Sequence, residues 1–454
     1  MPGFVALSID PKKYQDDFLD DLFGLTFYQQ HLGEDYAGFA SYNRGKINIR
    51  THRGLIRPTF SDDMVGLEGT SGIGYCGDNR EPILVDSKLG DFVTCFSGNI
   101  INRDELIAKF KASGHSFAWE GVDIEIIAKL IAQGKGYVDG FNRMNNAIEG
   151  AYSVSILTPE GIYVVSDPSG RWPLVFGEKN GAVVATTDPC GFANWGFSYK
   201  RDMEPGEIVL LKDDNLETKG RITGVKPQIC TFVWVYTNFP NAVFKNIAVS
   251  TVRKKLGAAL AKRDIERGFI PDVVAPVPDS GRFCAIGYHQ EFCRQVNEKK
   301  IDRIPLYDEV LIKYPYAGRS YTKLSQTKRE LEAHVKQLRS GESYAGKKLV
   351  VCDDSVRRGT QIEKNLVPKL RALGISEIHF RISNPDSFSY CRWGKSVKKG
   401  ELLAAQIPSI KKRSKLLGID SLAYTTVHEL AEAIGLPLEI LCVDCDLPTQ
   451  SAFD

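Results

Sequence analysis

Two successive folds are predicted by this sequence. Residues 1–226 read as an α+β domain with stacked sheets between helices, residues 227–400 as an α/β domain on a parallel sheet, and residues 401–454 as a helical tail. Up to about residue 226, short alternating strands are broken by turns, as in Gly38–Tyr42, Phe92–Phe96 and Gly150–Leu157. A helix is predicted at Ile124–Ala132, with apolar residues at 124, 126, 127, 130 and 131. After Pro227 the strands become almost continuously apolar, as in Asp272–Val277 and Lys348–Cys352, and each leads through a polar loop into a helical segment. That rhythm belongs to parallel sheets, whose ligands lie beyond the carboxyl ends of the strands. The tail is predicted to finish in a helix from Leu417 to a glycine stop at Gly435.

Composition narrows the function classes. Hydrophobic residues are 43% and charged residues 25% of the 454, the profile of a globular protein rather than a disordered, collagen-like or coiled-coil chain. Lysine plus arginine number 58 against 56 acids, a net charge of +2, which argues against nucleic acid as a partner. The start, Met1 to Leu7, has no basic region and meets Asp10 too soon for a signal peptide. No apolar run approaches membrane-spanning length. Ten cysteines in so long a chain suit a reducing compartment, so a cytoplasmic location is expected.

The most specific local signal is Asp353-Asp354-Ser355-Val356-Arg357-Arg358-Gly359-Thr360, which follows a buried strand and opens a helix carrying Ile362, Leu366, Val367, Leu370 and Leu373. Pro368 inside that helix should kink it. Loop amides ending in Gly-Thr at a helix start suit a phosphate monoester, and two carboxylates at a strand end suit ribose hydroxyls, directly or through Mg²⁺. An acidic turn with a helix cap is the plain alternative. A second strand-to-helix loop, Pro276 to Gly281 with Asp279 and Ser280, offers amides and a hydroxyl for pyrophosphate. Between the two loops, Lys313 to Lys336 includes Arg319, Lys323, Lys328 and Arg329. Such a run is either a solvated basic face or a lid that neutralises pyrophosphate.

This order of loops resembles type I phosphoribosyltransferases, and residues 3 to 450 resemble the amidophosphoribosyltransferase family. Val277 to Gly281, Gly318-Arg319-Ser320, Leu349 to Thr360 and Arg381-Ile382-Ser383-Asn384-Pro385 look like family motifs. The resemblance implies that Asp353, Asp354 and Ser280 coordinate Mg²⁺ with phosphoribosyl pyrophosphate, and that amides at 355–360 take the 5-phosphate. It places Asp353, Asp354, Arg319 and Lys336 in catalysis, with Asp279, Ser280, Gly281, Lys313, Arg329 and Ser355 to Thr360 around the substrate. The family usually has Ile-Val-Arg where this chain has Val356-Arg357-Arg358.

The family's first domain is a glutaminase of the N-terminal-nucleophile type, and this chain keeps much of its framework. His31 to Gly38, Gly98-Asn99, Val122 to Glu125, Asp167 to Leu174 and Glu204 to Glu207 resemble its segments. Its reacting groups are missing. Position 2 is Pro2, the first cysteine is Cys76, the glutamine-binding arginine aligns with Gly77, and the oxyanion asparagine aligns with Ser97. Loss of glutamine hydrolysis is therefore expected, Pro2 acting as a catalytic amine being the rival. Asp123 suits a helix cap as well as glutamine binding.

Cys442-Val443-Asp444-Cys445 alone suits a redox pair, half a zinc site or chance. Cys230 and Cys391 fall where some family members supply the other ligands of a 4Fe–4S cluster, so the resemblance implies that cluster, with structural zinc as rival. The other six cysteines read as ordinary buried residues. Lys395, Lys398, Lys399, Lys411, Lys412, Arg413 and Lys415 read as a solvated basic face, or as a docking surface for an acidic partner or nucleic acid. The expected function is displacement of pyrophosphate by ammonia, free or delivered by a partner protein, to give 5-phosphoribosylamine in purine synthesis, in a homo-oligomer. A phosphoribosyl pyrophosphate sensor bound to a paralogue, and transfer to another amine, are the alternatives.

Overall fold

The computed structural model describes residues 2–60, 64–118, 123–313, 336–338, 344–394 and 401–447. The chain divides into two compact units. The first comprises residues 1–230, 242–246 and 392–395, and the second comprises 231–241, 247–391 and 396–454.

The first unit holds two antiparallel sheets. One runs, in spatial order, Ser198–Asp202, Val175–Lys179, Ala182–Thr186, Gly3–Ile9, Ser71–Gly77, Tyr36–Asn43 and Lys46–Arg53. The other runs Asn215–Arg221, Glu207–Lys212, Gly161–Ser166, Gly150–Thr158, Phe92–Ile100 and Ile83–Val85. Strand residues alternate between faces, so Phe4, Ala6, Ile73 and Val183 of the first sheet meet Val93, Cys95, Leu157, Val164 and Val209 of the second in one core. The opposite residues of the second sheet, Phe92, Phe96, Val154 and Ile156, pack under helices Arg103–Ala112, Asp123–Ala132 and Tyr137–Ala147. All five apolar positions expected on the Ile124–Ala132 helix are buried there.

The second unit is built on a five-stranded parallel sheet in the order Leu306–Tyr307, Val273–Pro276, Lys348–Asp353, Glu377–Pro385 and Ser421–Thr425. Both faces are covered, which is why its strands read as unbroken apolar runs. Val273, Ala275, Leu349 and Val351 face Ile362, Leu366, Val367 and Leu370 on one side. Val274, Val350 and Cys352 face Leu260, Ala261, Cys284, Tyr288 and Phe292 of helices Val249–Glu266 and Arg282–Asn297 on the other. No described helix is long and apolar enough to cross a membrane.

Four local expectations are corrected. Leu417–Gly435 is not one helix: Ser421–Thr425 is a strand of the parallel sheet, and only Val427–Ile434 is helical, with Gly435 as its left-handed cap. Pro368 does not interrupt a regular α-helix: Ile362–Leu366 forms a wider π turn that runs directly into an α-helical segment starting at Val367. Proline sits in that segment's first turn, where its missing N–H costs nothing. Arg413 is not on a solvated face. Its side chain is 1% exposed and is held by both oxygens of Asp386, with Tyr424 Oη 3.1 Å from Nη1. Lys395, Lys398 and Lys399 of the same basic run lie outside the described residues. Cys293 is only half-buried, unlike Cys76, Cys95, Cys190, Cys284 and Cys352.

Arg381 anchors the sheet to the Val249–Glu266 helix by a bidentate bond to Asp264, at 2.5 and 2.9 Å, and Tyr288 Oη donates to the same carboxylate at 2.6 Å. Both charges are almost fully buried, so removing one strands the other. Arg381→Met should cost about 3–5 kcal/mol in chemical denaturation. The double variant Arg381→Met/Asp264→Leu should lose clearly less than the two single variants added together.

Candidate active site

The sheet register sets the first cluster. Asp353 ends the Lys348–Asp353 strand opposite Ile382, and the next residue, Asp354, is buried. Asp353 Oδ1 accepts the Asp354 amide at 2.9 Å and lies 3.4 Å from Ser280 Oγ, which donates to it. Ser355 Oγ donates to Asp354 Oδ2 at 2.7 Å. The two strand-to-helix loops therefore meet at Ser280 and the acidic pair.

The neighbouring strand fixes the backbone of that pair. Ser383 Oγ donates to the carbonyls of Asp353 and Asp354 at 3.3 and 3.4 Å, and the Asn384 amide donates to the Asp354 carbonyl at 2.8 Å. Ser383 and Asn384 thus support the backbone of the acidic pair. No local sequence signal separates these supporting residues from ligand-binding ones.

The second loop is pinned to the same strand end. The Val277 amide donates to the Cys352 carbonyl at 2.8 Å, and the Gly281 amide donates to the Val277 carbonyl at 2.9 Å. A Cβ on Gly281 would lie 2.1 Å from the Cys352 carbonyl oxygen, so only glycine permits this approach. The Pro278–Asp279 peptide is cis. Asp279 pairs with Arg282 at 3.1 Å and with Lys313 at 3.4 Å, which brings two of the expected substrate residues together. Lys313 stands opposite Lys336 in the antiparallel pair formed by Leu311–Lys313 and Lys336–Leu338. Arg319, Lys323, Lys328 and Arg329 lie outside the described residues.

The arginines of the 355–360 loop are engaged by protein. The Arg357 guanidinium lies 4.7 Å from the Phe232 ring centre. Arg358 donates from Nε to Glu401 Oε2 at 3.0 Å. Val356 is buried. Neither arginine's placement marks it as a phosphate ligand, whereas backbone amides approaching a helix start suit an anion.

Cys391, Cys442 and Cys445 belong to the second unit, and none of them is in a disulfide. Burial pushes the Cys445 thiol up, and Asp446, Cys391 and Cys442 push it the same way while Arg357 opposes them. Asp446 Oδ1 accepts Asn384 Nδ2 and Ser387 Oγ, each at 2.9 Å, which ties this segment to the strand behind the acidic pair. The Cys442 carbonyl accepts the amide and hydroxyl of Thr231, the residue after Cys230. Cys442 is buried and Cys391 and Cys445 are half-buried, and sulfur donors beside a guanidinium fit a thiolate-ligated group, because a cation offsets part of the thiolate charge.

In the first unit, Pro2, Gly77 and Ser97, the three positions expected to lack the family's reacting groups, lie together. Ser97 Oγ donates to the Pro2 carbonyl at 2.6 Å. A Cβ on Gly77 would lie 2.1 Å from the Tyr75 hydroxyl and 2.8 Å from Pro2 Cβ. Gly77 is also closed from its other side, since a Cβ on Gly33 would fall 2.3 Å from Gly77 Cα. Asp123 is buried at the start of its helix.

Residues 75–190 match the model of a glutamine amidotransferase domain. The chain is 32% identical over 441 residues to the amidophosphoribosyltransferase of Synechococcus elongatus, covering 93% of this chain and 86% of the relative. It is 31% identical over 469 residues to that of Methanothermobacter thermautotrophicus, covering 100% of this chain and 95% of the relative. The solved glutamine phosphoribosylpyrophosphate amidotransferase from Bacillus subtilis, complexed with ADP and GMP, superposes with a TM-score of 0.84 at 28% identity, covering 98% of this chain and 96% of that one. The chain belongs to the amidophosphoribosyltransferase family, pentosyltransferase enzymes of purine biosynthesis.

Proposed function

We propose that this protein displaces pyrophosphate from phosphoribosyl pyrophosphate with ammonia, giving 5-phosphoribosylamine, and that it does not hydrolyse glutamine. One observation carries the reading: Ser280 and the Asp353–Asp354 pair converge from two strand-to-helix loops at the carboxyl end of one parallel sheet. In this division of labour, residues 227–400 carry the transfer, residues 1–226 form an amidotransferase-like part without glutaminase chemistry, and residues 401–454 complete the second fold. Ammonia arrives free or from a partner protein, in a cytoplasmic homo-oligomer.

The donor set fits Mg²⁺, since Ser280 Oγ and the accessible carboxylate of Asp353 supply hard oxygens, with Asp354 behind them. When bound, Mg²⁺ supplies positive charge against the departing pyrophosphate. The chain's own residues do the positioning. Amides at 355–360 hold the 5-phosphate, Asp353 and Asp354 orient the ribose, and the Asp279–Gly281 loop holds the pyrophosphate. Lys313, with Lys336, Arg319 and Arg329, neutralises the leaving charge as ammonia bonds to ribose C1 and the C1–oxygen bond breaks. Little covalent help is needed from protein; orientation and charge stabilisation do most of the work.

Loss of glutaminase activity rests on the first unit. Pro2 offers no thiol, Ser97 spends its hydroxyl on the Pro2 carbonyl, and any side chain at position 77 would require Tyr75 and Pro2 to shift. The cysteines Cys230, Cys391, Cys442 and Cys445 are assigned to a 4Fe–4S cluster, with zinc as the rival occupant.

With phosphoribosyl pyrophosphate, Mg²⁺ and ammonium, wild type should release pyrophosphate, and Asp353→Asn should lower turnover on the order of 100-fold or more while remaining folded. Tight ligand binding with no pyrophosphate from wild type, with ammonium or a panel of amines, would replace the enzyme by a sensor. Release with another amine but not ammonium would reassign the acceptor.

Protein purified without oxygen should be brown, with about four irons per chain. Cys442→Ser should bleach it and lower its thermal midpoint. Colourless wild type carrying stoichiometric zinc would exchange the metal and keep the ligands.

A further inference from the structure

We propose that His31, Asp188 and Cys190 form a binding site for one divalent cation of the zinc type, separate from the sites for substrate Mg²⁺ and the cysteine-ligated group. One ligand atom from each residue lies within 4.8 Å of the others. His31 Nε2 and Asp188 Oδ2 are 2.9 Å apart. Asp188 is fully buried, Cys190 is 3% exposed, and the His31 side chain is 11% exposed.

Tetrahedral zinc binds nitrogen and oxygen at about 2.0–2.2 Å and sulfur at about 2.3 Å, so its ligands stand roughly 3.3–3.6 Å from one another. The imidazole and carboxylate need to part by only a few tenths of an ångström, roughly 0.4 Å on that geometry, to admit the ion. Neutral histidine, one carboxylate and one thiolate cancel a charge of +2, which makes burial of the ion feasible. The ion binds as the Cys190 S–H bond breaks and its proton leaves to solvent, since the thiolate is the ligand. The thiol now donates to the Tyr28 carbonyl at 3.2 Å, and that bond is given up. The fourth position is left to water.

The surroundings hold the ligands in place. Gln29 Nε2 donates to the Asp188 carbonyl at 2.7 Å, while Gln29 Oε1 accepts the Asp188 amide and the Thr187 hydroxyl, each at 3.0 Å. The Cys190 amide occupies Asp188 Oδ1 at 2.9 Å, leaving Oδ2 for His31. Capping of the Pro189–Gly191 turn explains Oδ1 alone. It does not explain why an imidazole meets the other oxygen while a thiol brings its sulfur within 4.8 Å of both groups. Supporting hydrogen bonds of this sort orient the ligands of metal sites.

The test is addition of Co²⁺ to metal-stripped protein, read as the thiolate-to-cobalt charge-transfer band in difference spectra. Wild type should develop the band at about one equivalent. Cys190→Ser and His31→Gln should lose the Cys190-dependent component and keep any band from the four clustered cysteines, Cys442→Ser should retain the Cys190-dependent component, and Gln29→Ala should bind Co²⁺ at this site about 10–100-fold more weakly. Circular dichroism without metal establishes that each variant is folded. Should Cys190→Ser fail to fold, His31→Gln and Gln29→Ala carry the comparison. No thiolate band in wild type, or an undiminished band in Cys190→Ser or in both His31→Gln and Gln29→Ala, would overturn the proposal.

Discussion

The Cys352 carbonyl accepts the Val277 amide and lies where any Cβ on Gly281 would collide with it, 2.1 Å away. This close approach of two strand ends is the constraint on which the proposed transfer site depends. It sets Ser280 against Asp353 and starts the Arg282–Asn297 helix immediately after the loop. A side chain at 281 would push the loop off the strand and part Ser280 from the carboxylates. The parallel register supplies the rest, because Pro276 opposite Cys352 brings both loops to the same sheet edge.

Around that contact the molecule uses polar groups as scaffolding. Ser383 and Asn384 hold the backbone of the acidic pair, Asn384 also reaches Asp446, and Arg381 reaches Asp264 on the helix side. One short segment thus joins the acidic loop, the helix layer and the C-terminal stretch bearing Cys445. The first unit treats its corresponding site differently. At Gly77 the flanking Tyr75 hydroxyl and Pro2 fill the space that a longer side chain would need. An acidic cluster where two loops meet in one unit and a crowded position 77 in the other support the protein's proposed character: transfer chemistry supplied with ammonia from outside.

Much of this is legible in the sequence because local chemistry announces it. Apolar runs ending at Pro276 and Asp353 reveal strands covered on both faces, and the octet ending at Thr360 reveals a loop suited to phosphate. Features that depend on distant partners are silent. Arg413 stands in a run of cations that reads as solvated, and its burial is explained by Asp386, 27 residues away, together with Tyr424. Ser421–Thr425 has just five residues between two helical segments, so a helical reading runs through it. His31 and Asp188 are 157 residues apart, and nothing near either one foretells their meeting. Pro368 is visible as a conflict, but the π turn that resolves it has no sequence signature of its own.

The central claim is that nitrogen reaches ribose from ammonia and not from glutamine. It is tested most directly by supplying phosphoribosyl pyrophosphate and Mg²⁺ with unlabelled ammonium and amide-¹⁵N glutamine in one vessel, then trapping the aminated product for mass spectrometry. The account predicts product carrying unlabelled nitrogen and no formation of glutamate. Product enriched in ¹⁵N, with glutamate released in step, would contradict it.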